Sequence, residues 1–244
     1  MKPAALTLEH VSYRYGPSAA LADVSVAFRP GVITGLIGRN GAGKSTLAAL
    51  ASGFRRPQQG TITLDGQPVW ENPAATSRVC FMRDSGGLIE DERIDHSLNM
   101  MRALRPHWDQ DYFWQLAGTF GLPRRRLRPD KLSRGQRSAL AAAVALASRC
   151  ELTIVDEIHL GMDAVARRLF YEALLADYIA HPRTFIVSSH LLDEIEDQLE
   201  DVVVLHQGRV AAAGAADDVR RQYSTDAGLA SLTDVLVTIS GGMR

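Results

Sequence analysis

The chain has 244 residues, is 46% hydrophobic and carries a formal net charge of −1. That is enough apolar content for one packed domain with a subdomain, and the balanced charge argues against a nucleic-acid binder. No stretch approaches the roughly twenty apolar residues needed to span a bilayer, the longest run being Ala139 to Ala147, and MKPAALTLEH lacks a signal-peptide apolar region, so the sequence reads as soluble and intracellular.

Residues 6–9 and 24–28 have the character of β-strands. Between them YRYG reads as a turn-like stretch carrying Tyr13 and Tyr15. Either ring suits half-buried strand packing, and either would serve as a flat platform for adenine. Pro30-Gly31 turns the chain into the apolar strand Val32 to Ile37. GRNGAGKST, Gly38 to Thr46, follows and fits G-x-x-x-x-G-K-[ST] at Gly38, Gly43, Lys44 and Ser45. Leu47 to Ala51 begins a helix. Strand, glycine loop and helix in this order form a phosphate site. The loop amides of Arg39, Asn40, Gly41, Ala42 and Thr46 turn inward, Lys44 reaches the β- and γ-phosphates, and the Ser45 hydroxyl ligates Mg²⁺.

Further along, Asp65-Gly66 between Thr61–Leu64 and Pro68–Trp70 signals a hairpin, and Val79 to Met82 a short strand. Arg83-Asp84-Ser85-Gly86-Gly87 reads as a polar loop. From about Asp95 to Phe120 the apolar spacing is helical. The basic cluster Arg124-Arg125-Arg126 reads as a solvated face. Ser133 is an N-cap for the alanine-rich helix that follows, and the Ser133-Arg134-Gly135 turn is a second candidate anion site. Cys80 and Cys150 sit in apolar surroundings and read as buried free thiols, without metal spacing.

Glu151 to Glu157 is an apolar strand ending in two acids at the sheet edge where α/β proteins bind ligands. Asp156 suits the Mg²⁺ shell, and Glu157 suits the general base that polarises an attacking water. Thr184 to His190 repeats the pattern, with His190 at the tip of its strand facing a γ-phosphate. Val202–Leu205 and Gly208–Ala212 make a final hairpin before an acidic-basic tail.

Tyr15, GRNGAGKST, LSRGQ at 132–136, TIVDE ending at Glu157, GMD ending at Asp163 and SSH ending at His190 resemble, in order, the ATP-binding cassette of ABC transporters. The resemblance implies a RecA-like P-loop NTPase α/β core over residues 1–220, with an antiparallel β subdomain, a helical subdomain inserted near 85–150, and a tail over 221–244. It further implies a head-to-tail dimer, homo- or heteromeric, in which each ATP, with Mg²⁺, lies between Gly38–Thr46 of one copy and Leu132–Gln136 of the other, with Ser133, Gly135, Gln136 and Asp163 among the nucleotide-binding residues. The resemblance also implies a separate integral membrane permease driven from the inner face of the cell membrane, where the chain would sit as a cytoplasmic, peripheral subunit. The segment before LSRGQ and SLTDVLVTISG at 231–241 look like the branch paired with ABC-2-type permeases, common among exporters. Asp84 stands where the family usually has a glutamine that touches the metal, which makes it a third candidate ligand. Ile158 and His159 replace the usual proline and the usual threonine or serine. A soluble ABC ATPase of DNA repair or translation is the competing reading. Too few residues separate Thr46 from Leu132 for the coiled coils of the repair proteins, and the chain holds one cassette where the translation proteins hold two.

Overall fold

A computed structural model of the protein describes residues 2–83, 88–89, 91–123, 127–189, 191–225 and 228–241. Asp84 and His190, candidate metal and γ-phosphate residues, lie outside the described residues, as does the cluster at 124–126.

The first third of the chain forms β1 (Leu6–Tyr15), β2 (Ser18–Phe28), β3 (Ile33–Ile37), α1 (Lys44–Ala51), β4 (Gln59–Leu64), β5 (Gln67–Pro68), α2 (Pro73–Thr76) and β6 (Val79–Arg83). Then come α3 (Ile94–Leu104), α4 (Gln110–Thr119), α5 (Arg134–Ala147), β7 (Leu152–Asp156) and α6 (Ala164–Ala180). The chain continues through β8 (Thr184–Ser188), β9 (Asp201–His206), β10 (Arg209–Ala215), α7 (Ala216–Gln222) and α8 (Leu232–Gly241).

Two sheets result. One is antiparallel, in the order β2-β1-β4-β5. The other runs β10-β9-β3-β8-β7-β6, parallel from β9 to β6, with β10 antiparallel at its edge. The strands β3, β7 and β8 are buried along their whole length, which is why they read as unbroken apolar runs. This is the expected α/β P-loop core.

The first hairpin is longer than residues 6–9 and 24–28 suggested. YRYG is not a turn: Tyr13 pairs with Leu21 and Tyr15 with Ser18, and the reversal falls at Gly16-Pro17. The second hairpin turns at Asp65-Gly66, both at positive φ (49° and 78°), the mirror-image turn that follows strand twist.

The helical stretch from about 95 to 120 forms two helices. Pro106 forces Arg105 into extended backbone (φ −117°, ψ 110°) and ends α3. Asp109 then starts α4 by accepting from the Tyr112 amide at 2.9 Å. Helix α5 is buried over ten successive residues, Ser138 to Ala147, and its small side chains let β6, α4 and α6 approach.

The stretch read as an acidic-basic tail holds α8, which buries Leu232, Val235 and Ile239 in the main core cluster. Both cysteines are buried free thiols, and burial pushes the Cys150 thiol up to about 12. Behind β8 lies a charged knot. Asp177 of α6 accepts from both Arg149 and Arg183, and Arg183 also donates to the Leu146 carbonyl at 3.1 Å. Asp177 and Arg183 are almost wholly buried.

Candidate functional site

The phosphate loop leaves β3 at the C-terminal edge of the parallel sheet and ends in α1. It is held between two other strands. A Cβ on Gly38 would sit 2.5 Å from the Leu205 carbonyl of β9, and one on Gly43 would sit 2.6 Å from the Ala20 carbonyl of β2. Gly43, at φ 109°, caps α1 with no side-chain hydrogen bond, so the first helical amides stay available to an anion. The turn between β9 and β10 clips the loop: the Gly208 amide donates to Ala42 O at 3.1 Å, and the Ala22 amide donates to Gly208 O at 2.8 Å.

Lys44 is the first residue of α1, and its side chain is only 5% exposed. Its ammonium donates to Gly38 O at 2.8 Å and lies 3.2 Å from Glu157 Oε1. An ammonium has three protons to give, so loop carbonyl and carboxylate hold the cation where a phosphate would compete for it. Glu157 follows β7 in left-handed backbone (φ 52°, ψ 27°), a conformation that costs a non-glycine residue about 1 kcal/mol or more. That bend directs its side chain to Lys44 instead of continuing the strand.

Asp156, the last residue of β7, is buried. Burial pushes its carboxyl up, the Ser45 and Ser188 hydroxyls pull it back, and the neighbouring Glu157 charge pushes it up again. Its Oδ1 atom has no hydrogen-bond partner among the described residues. An unpartnered buried carboxylate oxygen near a serine hydroxyl is a hard-oxygen donor pair that fits Mg²⁺. The structure thus places Asp156 and Ser45 together, as the sequence suggested. Ser188 enters the site too; the sequence marks it only as a polar residue at the end of its strand.

Lys44, Ser45 and Glu157 open into a cavity of about 430 Å³ lined also by Tyr15, Ser18, Ala19, Ala20, Asn40, Gly41, Gly43 and Thr46. Gly38, Arg39 and Ala42 face the other side of the loop, toward His206, Gln207 and Leu236. Ser133, Gly135, Gln136 and Asp163 do not line the cavity of Lys44. Ser133 and Gln136 form a reciprocal capping box: the Ser133 Oγ accepts from the Gln136 amide, and the Gln136 side chain accepts from the Ser133 amide. Asp163 caps α6 by accepting from the Ala166 amide at 2.8 Å. The Ser133–Gly135 turn still comes against the loop after β7, because a Cβ on Gly135 would meet Gly161 O at 2.9 Å.

The sequence model of a family described as "ABC transporter" matches residues 21–159, more than half of the chain. The chain belongs to this family. A second model, described as "AAA domain, putative AbiEii toxin, Type IV TA system", matches residues 123–196. The cassette is 33% identical over 206 residues to the "Nitrate import ATP-binding protein NrtD" of Synechococcus elongatus, covering 82% of this chain and 74% of that one. It is 32% identical over 248 residues to an "ATP-dependent lipid A-core flippase" of Cupriavidus metallidurans, covering 92% of this chain and 40% of the flippase. A solved "Structure of ATP binding subunit of ABC transporter" superposes with a TM-score of 0.83 at 26% identity, covering 96% of this chain and 99% of that one. The cassette is an ATPase subunit of an ABC transporter. No helix among its described residues is long and apolar enough to cross a membrane.

Lys44→Ala is expected to weaken ATP binding by about ten- to hundredfold, the usual effect of losing a charge-assisted hydrogen bond. Titration of ATP against both forms, with thermal melting as the control for folding, reads this. Equal affinities would remove Lys44 from the phosphate site.

Proposed function

We propose that the cassette hydrolyses ATP at the Lys44–Glu157 site and passes the resulting closure and opening to a separate membrane permease, in the direction of export. One observation carries the reading: the Lys44 ammonium and the Glu157 carboxylate face each other at 3.2 Å at the mouth of the phosphate loop. Lys44 then neutralises the phosphates, and the loop amides and the α1 N-terminus cradle them. Glu157, released from Lys44 by the phosphate, accepts a proton from the attacking water. Asp156 and Ser45 would hold Mg²⁺, which when bound offsets charge on the phosphate oxygens. Tyr15, at the rim of the same cavity, stacks on the adenine.

Asp84 as a further metal ligand and His190 as a γ-phosphate contact complete the proposed set. Asp84 is tested by titrating Mg²⁺ against ATPase rate in Asp84→Ala. A curve superimposable on the wild type would take Asp84 out of the metal site.

Ser133, Gly135 and Gln136 do not line their own Lys44 cavity, which leaves them to the nucleotide of a second copy in this reading. Asp163 is assigned to the same interface. Direction and permease type rest on the segment before LSRGQ and on residues 231–241, since the relatives include both an import protein and a flippase. The place of action follows: the inner membrane face, as a peripheral subunit. The test is purification of the full chain from detergent-solubilised membranes, followed by reconstitution of what accompanies it. A polytopic membrane protein that raises the ATPase rate is the expected result. Catalysis unaffected by any membrane fraction would favour a soluble role.

A further inference from the structure

Tyr15 ends β1 on the surface, with 46% of the residue exposed. A ring so exposed needs outside contacts to hold one orientation, and two are present. Tyr13 meets it edge to face, with ring centroids 5.0 Å apart and planes at 70°. The Arg55 guanidinium lies over the Tyr15 ring at 5.3 Å from the centroid and also donates to the Tyr13 hydroxyl at 3.2 Å. One side chain therefore engages both rings.

Arg55 is itself well placed. It follows α1, where its amide donates to Ala49 O at 3.1 Å after a turn at Gly53 (φ 73°). The loop that carries it is fastened to β1 between the two tyrosines: the Arg14 amide donates to Gln58 Oε1 at 2.8 Å, and Gln58 Nε2 donates to Arg14 O at 3.1 Å. The phosphate loop enters α1 at one end and Arg55 leaves from the other, so an eight-residue helix links the two. Tyr15 lines the cavity of Lys44, while Tyr13 and Arg55 line a separate cavity of about 590 Å³ that shares no residue with it. The guanidinium thus touches the ring without itself lining the cavity of Lys44.

We propose that Arg55 is a positioning residue for the nucleobase: it fixes the Tyr15 ring from behind, so that the open face stacks on the adenine of ATP. A cation behind an aromatic ring draws π density toward itself, which leaves the opposite face better suited to an electron-rich purine. The proposal rests on the reading of Tyr15 as the adenine platform.

The experiment measures affinities of the full-length chain for ATP and for inorganic tripolyphosphate, in wild type, Arg55→Ala, Arg55→Lys, Tyr15→Ala and the double variant. Arg55→Ala should weaken ATP by roughly two- to fivefold, the scale of an exposed cation–π contact, and leave tripolyphosphate unchanged. Arg55→Lys should recover part of the loss. Adding Arg55→Ala to Tyr15→Ala should cost nothing more, since the two act as one unit. If Tyr15→Ala weakens ATP but Arg55→Ala does not, the proposal fails and the adenine reading stands. An equal loss for ATP and tripolyphosphate in Arg55→Ala makes it a general charge effect and also overturns the proposal. If Tyr15→Ala leaves ATP binding intact, the adenine reading fails and takes the proposal with it.

Discussion

Glu157→Gln is expected to slow ATP hydrolysis by about a hundredfold or more while ATP still binds. The amide keeps the size of the side chain and the bent backbone but cannot accept a proton from water. Its second effect follows from the ion pair with Lys44. Glutamine carries no charge, so it competes less for the ammonium, and ATP affinity should hold or rise. With ATP and Mg²⁺ present, the variant should elute as two chains in size-exclusion chromatography, preferably with the permease bound. A hundredfold loss corresponds to about 2.7 kcal/mol of transition-state stabilisation, well above the noise of a phosphate-release assay. Hydrolysis at the wild-type rate would move the general base elsewhere.

Asp177→Ala is expected to destabilise the fold by about 3–5 kcal/mol, the usual result of removing one partner from a buried charge network. Asp177 is the shared acceptor of Arg149 and Arg183, and Arg183 is fully buried. Burial already holds the Arg183 pKa below its ordinary value, with Asp177 opposing the shift. Without the carboxylate two guanidiniums crowd one apolar pocket, and only Asp109, 3.4 Å from Arg149, remains among the described acids there. The melting temperature should fall by roughly 10 °C. Asp177→Asn keeps an acceptor but no charge and should fall between. A loss under about 1 kcal/mol in urea unfolding would show that the network contributes little.

The phosphate loop was legible because its pattern is strict and its strand and helix are local. The Asp156-Glu157 pair was legible for the same reason: a buried strand reads as an apolar run, and its acids mark the end. Ser133 was correctly read as a cap. The alternation of β1 failed where Glu9 and His10 interrupt it, His10 taking left-handed backbone (φ 53°) at a register shift, so the strand appeared to end early. The two apolar groups, Leu98, Met101 and Leu104, then Phe113, Leu116 and Phe120, fall on α3 and on α4 with its C-cap, with Pro106 between them. In α8, Leu232, Val235 and Ile239 carry a helical period that the flanking charges obscured. Nothing in the sequence announces the Arg149–Asp177–Arg183 knot, because Arg149 joins it from 28 residues away and such residues are usually exposed. Arg55 behind Tyr15 is likewise a matter of tertiary approach.

The clip between Gly208 and Ala42 bears on how the molecule comes into being. The phosphate-loop strand β3 is flanked in its sheet by β8 and β9, both from the last quarter of the chain. Leu205 and Gly208 then press on the loop itself. During synthesis, the antiparallel sheet of β1, β2 and β4 has all its strands early, whereas the nucleotide loop waits for residues made much later. Such long-range closure is slow, since the intervening chain must be ordered before its contacts form. ATP recognition should therefore appear late on the ribosome, after most of the chain has emerged, and a nascent chain stalled before β9 should hold the whole Gly38–Thr46 motif without retaining nucleotide.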